Sequence, residues 1–137
     1  MNGIEKVNEF LNEAGVWYFL TTDEEQPKGR PFRFHLLKDG KLYFGTGTFK
    51  NVYHQMERNP HVEILAVKGG EFLRYDGEVV FEDTETNRQM SEAVLAKAPA
   101  MQKIYNDETG YELGMFHLKN GHAEIRNAMN TVNEFDL

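Results

Sequence analysis

Residues 30–60 read RPFRFHLLKDGKLYFGTGTFKNVYHQMERNP. Arg30 to Leu37 is rich in strand-forming residues, with Pro31 tolerable at a strand entry. Asp39-Gly40, between Lys38 and Lys41, predicts a tight hairpin into a second run, Leu42 to Gly45. A Gly/Thr-rich loop, Gly45-Thr46-Gly47-Thr48, follows. Phe49, Val52, Tyr53 and Met56 then recur at the spacing of one helix face. Thr48 is the predicted N-cap and Asn59-Pro60 the stop.

Working outward, residues 3–14 read as an amphipathic helix through Ile4, Val7, Phe10 and Leu11, with Gly15 as its stop. Val16 to Thr22 is a strand, and Asp23 to Lys28 a polar turn. Val62 to Val67 and Phe72 to Phe81 are strands joined at Gly69-Gly70, with a possible bulge at Asp76-Gly77. Asp83 or Thr84 caps a helix running to about Ala98, which Pro99 breaks, and Met101, Ile104 and Tyr105 add one more turn. Met115 to Leu118 and His122 to Arg126 flank Asn120-Gly121, a second hairpin signal. The polar residues after Arg126 are assigned no element. Hairpin connections predict an antiparallel sheet. About seven strands and two or three helices predict one mainly β domain over 1–137, a β-barrel with peripheral helices.

The chain has 137 residues, 40% apolar, and no apolar run of membrane-spanning length. It lacks cysteine, which removes disulfides, thiolate metal sites and a Cys nucleophile. With no signal-peptide pattern at the N-terminus, the expectation is a cytoplasmic protein without a membrane partner. The net charge of -7 argues against nucleic acid, which needs a broad basic face.

One stretch inverts that charge. Lys28, Arg30, Arg33, Lys38, Lys41 and Lys50 stand against a single acid, Asp39, between residues 28 and 56. A phosphate needs fixed donors and positive charge, and a loop entering a helix supplies both. Arg33 offers a bidentate fork, Lys50 a point charge, Thr46 and Thr48 hydroxyls, and the helix start free N–H groups. Gly45 and Gly47 permit close backbone approach. Lys50 in a first helical turn opposes the helix dipole, which makes sense beside an anion; a solvated surface lysine remains the alternative.

At these residues the chain resembles the pyridoxamine 5′-phosphate oxidase-like family, the FMN-binding split β-barrels. The resemblance is carried by Arg33 and Lys38, then DGKLYF at 39–44, TGTFK at 46–50 and NPHV at 59–62, and more loosely by Phe72-Leu73-Arg74 and Gly77. It implies a six- to seven-stranded antiparallel split β-barrel of Greek-key type, and a homodimer with FMN at the subunit interface. It places the cofactor's phosphate on Arg33, Lys50 and the Thr48 hydroxyl. The ring is placed near Phe34, His35, Phe44, Gly45 and Thr46, with Arg74 from a later strand, and Phe49 at the helix start is counted among the cofactor-binding residues. The vitamin-B6 oxidase itself carries a C-terminal substrate segment that this chain does not show, so the closer likeness is to small bacterial members, including those grouped with nitroimidazole-resistance proteins.

The implied activity is that of an FMN-dependent oxidoreductase acting on a small planar substrate, with no residue demanded as acid or base. A non-catalytic redox sensor or flavin carrier is the alternative, as is the same barrel binding a deazaflavin, or haem with a His ligand. His35 reads equally as a packed strand histidine, Trp17 and Tyr18 as core and interface, and Arg74 as a salt bridge. His54, His61, His117 and His122 show no metal spacing, so no metal is expected. Ser91 lacks any nucleophile context.

Overall fold

The computed structural model describes all residues, 1–137. Helix α1 (Gly3–Ala14) starts at Asn2, whose side chain accepts the Glu5 amide, and buries Val7, Phe10 and Leu11. Gly15 ends it at φ 78°, a conformation that glycine adopts without strain. Strand β1 (Trp17–Asp23) turns at Glu24-Glu25 into β2 (Gln26–Phe32), paired from Asp23↔Gln26 to Trp17↔Phe32. The predicted polar turn at 23–28 is therefore mostly strand. Pro27 and Pro31 are both accommodated because β2 is an edge strand.

Arg30 to Leu37 is not one strand. After Phe32 the chain leaves the sheet for three residues, Arg33 to His35, and re-enters as β3 (Leu36–Lys38). Asp39 and Gly40, at φ 51° and 75°, then form the predicted tight turn into β4 (Lys41–Gly47). Helix α2 (Asn51–Arg58), β5 (His61–Lys68), β6 (Glu71–Phe81), α3 (Thr84–Lys97), α4 (Pro99–Gln102), β7 (Leu113–Arg126) and β8 (Thr131–Asp136) complete the chain. No helix is long and apolar enough to cross a membrane.

All paired strands are antiparallel, in the order β2-β1-β5-β6-β7-β4-β3, with β8 added to β7. The two edge strands of this path, β2 and β3, are consecutive in the chain. The barrel is split between them, and Arg33–His35 is the backbone that crosses the split. A continuous strand there would have to belong to both edges at once.

Two further expectations are corrected. Asn120-Gly121 is not a hairpin but a bulge inside β7: both residues stand opposite Gly77 between Asp76↔His122 and Glu78↔Lys119. Asn120 takes φ 51°, and a bulge and a tight turn make the same demand for left-handed backbone there. The C-terminal residues form an eighth strand, held by mutual backbone bonds between Gly121 and Leu137.

Two hydrophobic clusters organise the interior. The larger fills the barrel with Trp17, Phe19, Phe44, Ile64, Leu73 and Phe116 under α1 and α2. The smaller packs Met90 and Val94 of α3 and Tyr105 onto Tyr43, Leu113 and Met115. Strand β4 thus buries both faces, Leu42 and Phe44 inward and Tyr43 outward. Helix α2 is tied to the barrel by a polar network: Thr21 donates to Gln55 Oε1 at 2.6 Å, and Arg30 donates to Thr21, Gln55 and the Phe19 carbonyl.

Candidate functional site at the split

A cavity of about 510 Å³ opens where β2 gives way to Arg33. Pro31, Phe32, Arg33 and Phe34 wall one side, Gly45, Thr46 and Lys50 the other. Val16, Leu113, Met101, Ile104 and Tyr105 complete the lining. Five of the ten residues singled out from the sequence meet here: Arg33, Phe34, Gly45, Thr46 and Lys50. They are brought from two strand ends by the barrel's split, and the α4 segment closes over them.

The other five lie elsewhere in this chain. Phe44 is fully buried in the barrel, with its ring 5.3 Å from that of Trp17. His35 turns toward α1, its Nδ1 2.7 Å from Asn8 Oδ1 and its ring against Trp17, and burial lowers its pKa. Arg74 pairs across β6 and β7 with Glu124 at 3.2 Å. Phe49 is half exposed and stacks on Tyr111, ring centroids 4.0 Å apart. Thr48 turns its methyl toward β7, 3.0 Å from the point where a β-carbon on Gly114 would stand.

The predicted helix cap is corrected by the same backbone. Thr48 N–H bonds to the Glu112 carbonyl at 3.0 Å, which keeps Thr48 with the β4–β7 ladder. The helix therefore starts two residues later, and Lys50 itself stands at the N-cap without a capping side chain. Its carbonyl accepts the Tyr53 and His54 amides. The Asn51 and Val52 amides find no acceptor in the chain, and the first turn holds no acid.

The electrostatics of the cavity are one-sided. Arg33 and Lys50 line it, no carboxylate does, and neither cation forms an ion pair. The rest of the basic island disperses: Arg30 serves the α2 network, and Lys28, Lys38 and Lys41 are exposed. Gly45 and Gly47 do not simply leave open space. A β-carbon on Gly45 would meet Met115 Sδ at 2.6 Å, and one on Gly47 the Phe49 ring at 2.6 Å and Tyr105 Oη at 2.8 Å.

A family profile described as Pyridoxamine 5'-phosphate oxidase matches residues 4–124. The chain belongs to the pyridoxamine 5'-phosphate oxidase family. Among solved structures, a nimC/nimA family protein from Clostridium acetobutylicum is 32% identical, with a TM-score of 0.85 over 100% of this chain and 95% of that one. A pyridoxamine 5'-phosphate oxidase-related, FMN-binding protein from Nostoc punctiforme shares the fold at 15% identity and TM-score 0.70, covering 92% and 84%. A heme-binding protein from Mycobacterium smegmatis shares it at 13% identity and TM-score 0.70, covering 99% of this chain and 58% of that one. No curated protein matches.

The wall contributed by Val16, Pro31, Phe32, Met101, Ile104, Tyr105 and Leu113 carried no functional assignment in the sequence. One signal was available: Met101, Ile104 and Tyr105 make an isolated apolar turn beyond Pro99, with no adjacent element of their own to cover. The structure also brings together His122, Glu124 and Glu134, whose ligand atoms lie within 4.8 Å, a grouping that only the β7–β8 pairing creates. His122 stands 2.8 Å from both Glu134 and Asp136, and hydrogen bonding to Asp136, with the nearby carboxylates, raises its pKa.

Proposed function

We propose that this family member binds FMN in the cavity at the split and is an oxidoreductase acting on a small planar substrate. The observation that carries the reading is the pair of unpaired cations, Arg33 and Lys50, facing a cavity that no acid lines, at an uncapped helix start. Each feature alone costs stability or goes unused, and a phosphate monoester answers all of them. The seven apolar lining residues, Phe32, Phe34 and Leu113 among them, suit a flat ring system. Bound flavin supplies hydride or electron transfer through its N5 position. The chain's own residues bind, orient and shield it: Arg33 and Lys50 would hold the phosphate, and apolar lining residues such as Phe32, Phe34, Met101 and Ile104 would pack on the ring. In this reading the protein is a cytoplasmic homodimer with flavin at the interface; the exposed Phe49–Tyr111 stack offers apolar surface for the second copy.

The test is the visible spectrum of the purified protein supplied with FMN. A flavin spectrum and quenched FMN fluorescence are expected; their absence overturns the proposal. Steady-state reduction by NADH or NADPH separates the enzyme from a carrier or sensor, which binds FMN without turnover. Haem is the second reading, raised by the heme-binding neighbour. Met101 and Tyr105 are residue types that ligate haem iron, yet no histidine lines the cavity. A Soret band in place of flavin absorption decides for haem, and preferential binding of a deazaflavin decides for that cofactor.

A further inference from the structure

The family resemblance assigns one phosphate-binding hydroxyl to Thr48, but the structure turns that residue onto β7, where its methyl packs beside Gly114. It does not line the cavity. A different hydroxyl does. Tyr105 arrives from the segment beyond α4, is 8% exposed, and lines the cavity together with Arg33 and Lys50. Its Oη lies 2.8 Å from the point where a β-carbon on Gly47 would stand, and the Gly47 carbonyl accepts the Lys50 amide at 3.1 Å. The phenol therefore lies beside the α2 start that carries Lys50, and the bare α-carbon of Gly47 is what lets it in.

We propose that Tyr105 is an anion-binding residue, its Oη–H donating to the cofactor's phosphate in the place that the resemblance gives to Thr48. Two observations converge on this. Tyr105 is largely buried, but its hydroxyl is not among the sealed, unpaired atoms of the interior: it donates to no group of this chain and the residue lines the cavity. It also lies beside the helix start that carries Lys50, in a cavity lined by two cations that form no ion pair. Burial raises the phenol above its ordinary value, outweighing the opposing effect of the Gly47 amide, so the hydroxyl keeps its proton at neutral pH and can only donate toward an anion. The inference rests on the phosphate reading of the site and adds a residue to it.

The test compares FMN with riboflavin, which has the same ring and no phosphate, by fluorescence titration of the full chain. Tyr105→Phe keeps the ring and removes the donor. It is expected to weaken FMN about tenfold and leave riboflavin unchanged. Equal weakening of both ligands, or no change for FMN, overturns the role of Tyr105. In the second case, a continued loss in Arg33→Ala leaves the phosphate site standing without it. If the unaltered protein fails to bind FMN, both proposals fall. Circular dichroism and the melting temperature report whether the variant folds. Should Tyr105→Phe not fold, Tyr105→Met decides instead: it keeps an apolar side chain at the cavity wall without a hydroxyl, and the same selective loss for FMN is expected.

Discussion

Asn87 pairs with the edge of β7 as a strand would: its Oδ1 accepts the Met115 amide at 2.6 Å and its Nδ2 donates to the Leu113 carbonyl at 3.1 Å. At this end β7 is bonded to β4 on one side, while its pairing with β6 reaches only to Phe116. Asn87, with the Ser91 hydroxyl donating to the same Leu113 carbonyl, therefore satisfies backbone groups beyond the β6 ladder and fixes α3 over the cavity wall at Leu113. Asn87→Ala is expected to cost roughly 1–3 kcal/mol, since it leaves the part-buried Met115 amide unpaired and the Leu113 carbonyl with only the Ser91 hydroxyl as donor. Urea unfolding measures this, and an unchanged midpoint would contradict it.

The two cavity cations predict binding without folding consequences. Arg33→Ala and Lys50→Ala each remove a side chain that makes no ion pair. Each is expected to weaken FMN by about 1.5–3 kcal/mol, the range for a hydrogen bond to a charged group, with the melting temperature unchanged. Unchanged affinity in both variants refutes the site assignment.

The network holding α2 predicts an asymmetry. Gln55→Leu strips an acceptor from both Thr21 and Arg30 at a buried position. Arg30→Met leaves the Thr21–Gln55 bond intact and removes a guanidinium whose pKa burial lowers. The first change is expected to destabilise by roughly 1–3 kcal/mol and the second by less. Thermal melts of the two variants compare them directly, and the reverse order would count against this account of the network.

β8 is expected to loosen as pH rises. The folded pKa of His122 is raised above 6.5 by Asp136 and Glu134. Its contribution is thus fully present below the unfolded pKa near 6.5 and is lost as pH rises through the higher folded value. Amide exchange in residues 131–136 should accelerate over that window, after correction for intrinsic exchange. His122→Gln should abolish the dependence, and a persistent pH effect in that variant would point to another group.

Much of the fold was legible locally. Gly15 as a helix stop, the Asp39-Gly40 turn and the apolar face of α2 are short-range demands of backbone and burial, visible in consecutive residues. Arg33 and Lys50 were legible as site candidates because their charge runs against that of the chain. Failures arose where one local signal fits two long-range outcomes. Asn120-Gly121 requires left-handed backbone in a hairpin and in a bulge alike, and only the pairing with Gly77 separates them. Arg30–Leu37 looks like one strand, since alternation cannot record that its halves pair with different partners.

By itself the sequence determined the family, the antiparallel β architecture and a basic stretch suited to an anion, because composition, turn chemistry and charge are properties of neighbouring residues. Tertiary structure decided which of six cations line one cavity, and that Tyr105 lines it while Thr48, its methyl packed at Gly114, does not. Those outcomes depend on where the barrel splits and on which distant segment packs over the opening. Contacts between residues far apart in the chain settle both, and no local pattern encodes them.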